Sequence, residues 1–249
     1  MRKWHRTQKL KNIKHMRTKT LLLTAALSAA GVAASMAQVY SVNVVGYVNV
    51  TVPAGKLMIL ANPLSNGANA IDTVLPLANS ADGANVFRFN PTTQAFLDPV
   101  SFIADYGWYP TDNNPTLAPG EGFFIQAPAG SPLAITFVGE VPQGDLSYPL
   151  AGGGRLTLVG SMVPQEINVG DTTQAGTMNF PAFDGDNIFL WDIAKQSYTD
   201  PYSYIQDYGW YAQADENPAG PKIPVGSGFW IQKAGSAPAV NWTRTFNVQ

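Results

Sequence analysis

The chain contains no cysteine, and its two histidines, His5 and His15, both fall within the first 37 of its 249 residues. Without Cys there are no disulfides, no Cys–His dyad and no Cys for a lipoprotein anchor. Residues 38–249 lack His as well, which removes the Ser–His–Asp triad, His/Cys zinc sites and haem ligation by these residues. Positive charge is scarce too. Residues 1–19 hold eight of the Lys and Arg, leaving residues 38–249 with 7 against 17 Asp and Glu, a net of −10. Such a surface repels phosphate backbones and speaks against nucleic acid as a partner. Long apolar runs are missing: the longest, Leu21 to Ala34, is too short to span a bilayer as a helix. Helical periodicity is also missing, apart from a single turn expected around Ile71 to Leu75.

What is present at the start is the layout of a secretory signal. Eight basic residues precede the apolar run, and Ser35-Met36-Ala37 places small residues at −3 and −1 of a signal-peptidase site. Residues 1–37 are therefore expected to be removed by cleavage after Ala37, with translation starting at Met1 or at Met16. This predicts an exported protein, extracellular or periplasmic, with no membrane attachment after cleavage.

The central block is written twice. Asn85–Tyr109 and Asn187–Tyr211 share 12 of 25 positions at a constant offset of 102. Each block leads into a second shared signature, Gly120-Glu121-Gly122-Phe123-Phe124-Ile125-Gln126 and Gly226-Ser227-Gly228-Phe229-Trp230-Ile231-Gln232. Two modules are expected after the signal, 38–142 and 143–249. Period-two runs, 23 Gly and 19 Pro point to an all-β fold, each module a sandwich or partly open barrel. Phe123/Phe229 and Ile125/Ile231 are expected inward at matching places, and Phe137 is matched with Trp242 near the end of each module. The leading strand, Val42 to Val52, looks like an addition, because Gln143–Leu150 alternates poorly and contains Gly and Pro. Intramolecular pairing that bridges the modules is expected for it, with strand addition to a neighbouring subunit as the alternative.

The segments Val39-Tyr40-Ser41-Val42-Asn43-Val44-Val45-Gly46-Tyr47-Val48-Asn49-Val50, GEGFFIQ, Thr136-Phe137-Val138-Gly139-Glu140-Val141-Pro142-Gln143-Gly144 and Trp242-Thr243-Arg244-Thr245-Phe246 together resemble a family of secreted tandem β-module proteins of Verrucomicrobia and relatives. The resemblance implies secretion and β-rich modules and carries no activity with it. More loosely, each module is similar to β modules of bacterial surface proteins that serve as structural parts of larger assemblies.

The chemistry-bearing candidates are few. Tyr106, Trp108 and Tyr109 match Tyr208, Trp210 and Tyr211; flat rings can stack on sugars or partner proteins, or fill a core. Asp184-Gly185-Asp186-Asn187 offers closely spaced oxygens for Ca²⁺, or forms a plain turn, and the first copy has Asp82-Gly83-Ala84-Asn85. Asp98/Asp200 and Asp105/Asp207 occur in both copies, as a glycosidase pair or, more simply, as turn residues. The glycine motifs lack the strand–turn–helix setting of a nucleotide site. The reading is a non-catalytic structural or adhesive protein of the cell surface or extracellular matrix, with no cofactor. Its expected partners are copies of itself, other surface proteins or polysaccharide. The alternatives are a carbohydrate-binding protein using the Trp/Tyr clusters and, third, a carboxylate-based hydrolase.

Overall fold

Phe123 to Ile125 and Phe229 to Ile231 are apolar at every position, the pattern of a strand buried on both faces rather than one with a wet side. A computed structural model describes residues 44–110, 115–170, 179–213 and 219–248. The expected signal segment, its expected cleavage site and the first residues expected in the leading strand lie outside these.

Module one comprises β1 (Val45–Val52), β2 (Leu57–Ala61), a one-turn helix α1 (Ile71–Val74), β3 (Asn85–Asn90), β4 (Ala95–Phe96), β5 (Val100–Ile103), β6 (Gly107–Tyr109), β7 (Gly122–Gln126) and β8 (Leu133–Glu140). Module two comprises β9 (Gly144–Leu150), β10 (Leu156–Gly160), β11 (Ile167–Asn168), β12 (Asn187–Phe189), β13 (Trp191–Asp192), β14 (Ser197–Tyr198), β15 (Tyr202–Ile205), β16 (Gly209–Tyr211), β17 (Lys222–Ile223), β18 (Gly228–Gln232) and β19 (Val240–Phe246). The fold is all-β. Its sheets are antiparallel and open, arranged as sandwich layers.

The duplication extends to the strand order of the main sheets. The main sheet of module one runs β2-β7-β3-β5-β6, with β4 added to β3, and that of module two runs β10-β18-β12-β15-β16. Leu57 faces Gln126 and Leu156 faces Gln232, so the registers match. One face of each main sheet covers its own module core. Phe123, Ile125 and Val86 join Ile135 and Phe137 of the β1–β8 ribbon, and Phe229, Ile231 and Ile188 join Trp242 of the β9–β19 ribbon. The opposite faces meet each other: Ile59 and Phe124 pack with Leu158 and Trp230 in a third core. The layers therefore run ribbon, sheet, sheet, ribbon, and the described residues form one compact unit.

The structure corrects the reading of the leading strand as an addition. β9 pairs with β19 from Gly144↔Phe246 to Leu150↔Val240, as β1 pairs with β8 from Val45↔Glu140 to Val52↔Leu133. Leu146, Tyr148 and Leu150 do point inward and Asp145, Ser147 and Pro149 outward. Proline is tolerated because, among the described residues, β9 has a partner on one side only. β1 consequently pairs inside its own module instead of bridging the two. The match of Phe137 with Trp242 also shifts. With Val52 and Leu150 as equivalent buried ends, Trp242 stands where Ile135 does and Arg244 where Phe137 does. The loop before β19 is one residue longer than that before β8. Arg244 is buried there, and burial lowers its pKa from the usual guanidinium range. One of its terminal nitrogens donates to Gln165 Oε1 at 2.6 Å, and its guanidinium carbon lies 5.6 Å from the Phe246 ring centre.

Reciprocal bonds hold the modules together. Gln94 of module one accepts from Leu156 N–H at 2.8 Å and donates to the Leu156 carbonyl at 2.9 Å. Gln196 of module two accepts from Leu57 N–H at 2.8 Å and donates to the Leu57 carbonyl at 3.1 Å. The Gly-x-Gly signature belongs to this junction. Gly120 and Gly226 have positive φ (87° and 78°), which a Cβ disfavours. Gly122 and Gly228 let the other module approach: a Cβ on Gly122 would lie 2.7 Å from Val159 N, and one on Gly228 would lie 2.9 Å from the Leu60 carbonyl oxygen. Gly228→Val will therefore destabilise the protein by at least about 1–3 kcal/mol, since backbone cannot rotate out of the way as a side chain can. A urea midpoint equal to the parent's would contradict this role. Glu121, between the two glycines of module one, is half-buried, and desolvation raises its carboxyl above the usual range despite the Ala118 N–H and the Arg88 charge.

Candidate functional site

The repeated block forms a hairpin in each module, β5–β6 and β15–β16. Its turn uses left-handed residues at Asp105 and Gly107, and at Asp207 and Gly209. The carboxylates of Asp82 and Asp184 brace it, accepting from Ala104 N–H and Gln206 N–H at 2.8 Å each. Alternation along three-residue strands then decides which ring goes where.

The two tryptophans point inward. Trp108 is 6% exposed and Trp210 is 0% exposed. Trp108 stacks edge-to-face on Phe102 at 5.5 Å, and Trp210 on Tyr204 at 5.3 Å. Their indole N–H groups donate to the carbonyls of Leu75 (3.0 Å) and Val169 (3.3 Å). Both are core anchors and offer no face to a ligand. The four tyrosines point outward: Tyr106 is 78%, Tyr109 54%, Tyr208 48% and Tyr211 37% exposed. Ile103 lies beside the first pair and Ile205 beside the second, and both are exposed. The expected six-ring cluster thus divides into two buried rings and two matching tyrosine–isoleucine patches.

The acidic candidates all have local partners or stand apart. Asp184 is the hairpin brace just described. Asp186 is fully buried and ion-paired with Lys233, and it also accepts the N–H groups of Phe183 and Ala234 at 2.8 Å each. Lys233 further donates to the Pro181 carbonyl at 2.8 Å. A lysine ammonium thus stands where a Ca²⁺ reading of Asp186 would put the metal, and among the described residues no group of three or more His, Asp or Glu is arranged for one. Sequence reasoning missed Lys233. Its signal is a paired change between copies, because Ala84 and Ala127, both buried, occupy the equivalent positions in module one. Asp105 and Asp207 are exposed turn residues of separate hairpins, and Asp98 and Asp200 are exposed just before β5 and β15.

Sequence reasoning also missed a cavity at the module junction. It has a volume of about 370 Å³, opens to solvent, and is lined by Leu57, Phe87, Phe96, Phe124, Trp191 and Tyr198. Trp191 donates its indole N–H to the Leu57 carbonyl at 2.9 Å, and Trp230 donates its own to the Tyr198 hydroxyl at 3.0 Å. Burial pushes the Tyr198 phenol above its ordinary pKa, a rise that the Trp230 bond only partly offsets, so the hydroxyl keeps its proton at neutral pH.

Comparison with protein-family models, with curated proteins and with solved structures finds no match to this chain. Among the described residues no helix is long and apolar enough to cross a membrane.

Proposed function

We propose that this is an exported, non-catalytic structural or adhesive protein of the cell surface or extracellular matrix, which attaches to its partners through the two tyrosine–isoleucine patches. The observation that carries this reading is the division of the repeated aromatic block. Its tryptophans serve the fold, while Tyr106, Tyr109, Tyr208 and Tyr211 remain exposed beside Ile103 and Ile205. Exposed tyrosines give rigid contact area at low entropic cost, and a duplicated patch on one body makes attachment bivalent. The absence of His and Cys from residues 38–249 fits a protein without a nucleophile–base pair. The carbohydrate-binding alternative rests on the same four tyrosines without the tryptophans.

The purified 38–249 segment should form ordered assemblies, or bind other surface proteins, in electron microscopy and sedimentation. Replacing the four tyrosines by Ser should abolish this and leave the urea midpoint nearly unchanged, because exposed side chains carry little stability. Assembly that survives the quadruple substitution would defeat the proposal. Selective binding to a glycan array, lost in the same variant, would put the carbohydrate reading in its place.

A further inference from the structure

We infer that the cavity between the modules is a binding site for a neutral, flat, polycyclic aromatic molecule carrying one hydrogen-bond acceptor. Its volume of about 370 Å³ falls in the range of small-molecule sites. Five of its six lining side chains are aromatic, so an aromatic ligand would find both ring faces and ring edges to pack against. Phe96 and Tyr198 at its mouth stay 50% and 47% exposed, which is more ring surface in water than the fold requires.

The lining also excludes other ligand classes. It contains no charged side chain, so a fatty-acid carboxylate has no counter-ion there. A sugar would bury several hydroxyls against a wall with few groups to bond them. The Trp191 N–H is already engaged by the Leu57 carbonyl. That leaves the Tyr198 hydroxyl, whose oxygen accepts from Trp230 and whose proton is therefore directed elsewhere. One donor on an aromatic wall matches one acceptor on an aromatic ligand.

The duplication supports the same conclusion. Phe124 corresponds to Trp230, and Phe96 to Tyr198, by the offsets of their blocks. The smaller ring, Phe124, lines the cavity, while the larger Trp230 packs edge-to-face on Phe89 at 4.6 Å. The hydroxyl occurs at Tyr198 and is absent from Phe96. Both departures from symmetry bear on this one cavity.

The sister module supplies the test variants. The probe is prodan, a neutral naphthalene with a ketone acceptor, whose emission reports both polarity and hydrogen bonding. Titrated into the purified protein, it should bind with a stoichiometry of one and a blue-shifted emission. Phe124→Trp, which copies module two, should weaken binding by about tenfold or more by filling the space. Tyr198→Phe, which copies module one, should weaken it about fivefold and shift the bound emission further to the blue, as expected for one lost hydrogen bond. Urea unfolding checks that the variants fold. If Phe124→Trp does not, Phe96→Ser at the exposed rim decides, with a clear loss of affinity expected. Unchanged affinity in the folded Phe124→Trp or in Phe96→Ser, or a stoichiometry of two, which would place the probe on the tyrosine patches, overturns the assignment.

Discussion

Asp186→Ala or Lys233→Ala alone will destabilise the protein by about 3–5 kcal/mol, and the double substitution will cost less than either. Each single change strands a buried partner. Without Asp186, the Lys233 ammonium keeps the Pro181 carbonyl but loses its counter-charge. Without Lys233, a buried carboxylate is left with two backbone N–H donors. Removing both leaves alanines, which is how module one fills the equivalent place with Ala84 and Ala127, both buried. The protein thus carries the product of this double substitution in its other half. Urea midpoints of the four proteins form a double-mutant cycle. Additive losses would mean that the pair does not act as a unit.

Trp210→Ala will cost about 3–5 kcal/mol, through lost burial and the cavity left among Phe180, Tyr204 and the Val169 carbonyl. Tyr106→Ala, at the most exposed of the repeated rings, will change stability by about 0.5 kcal/mol or less. The two residues come from copies of the same short motif, so the contrast tests the division of labour inside it. A small effect at Trp210 would return the tryptophans to the list of ligand-facing residues.

Much of this was legible in the sequence because it is local or repeated. The period-two runs, the single turn of α1 and the duplicated block need no long-range information. The inward placement of Phe123, Ile125, Phe229 and Ile231 follows from alternation once the strand is recognised. The docking of the two main sheets was less accessible. Phe124 and Trp230 complete apolar runs that a single buried strand would also show, and nothing local says that the second face meets another module. β9 was hidden by Gly144 and Pro149, which weaken a strand signal although an edge strand tolerates both. The Asp186–Lys233 pair joins residues 47 apart in the chain, so neither flags the other. The rings of the repeated block were ambiguous for another reason. On a three-residue strand the period is too short to tell Trp108, which faces in, from Tyr109, which faces out.

The reciprocal Gln94 and Gln196 bonds have a consequence for the history of the chain. One module already contains both halves of the junction: the glutamine that reaches across and the strand that receives it. That is the definition of an isologous contact, the kind a homodimer makes about a two-fold axis. The present chain makes that contact between two modules of one polypeptide, where a concentration-dependent association is replaced by one that is always made. The single polypeptide also lifts a constraint. In a homodimer every substitution appears twice, on both sides of the axis. In the single chain Phe124 and Trp230, or Phe96 and Tyr198, are free to differ, and a site lying near the axis can acquire a left and a right hand.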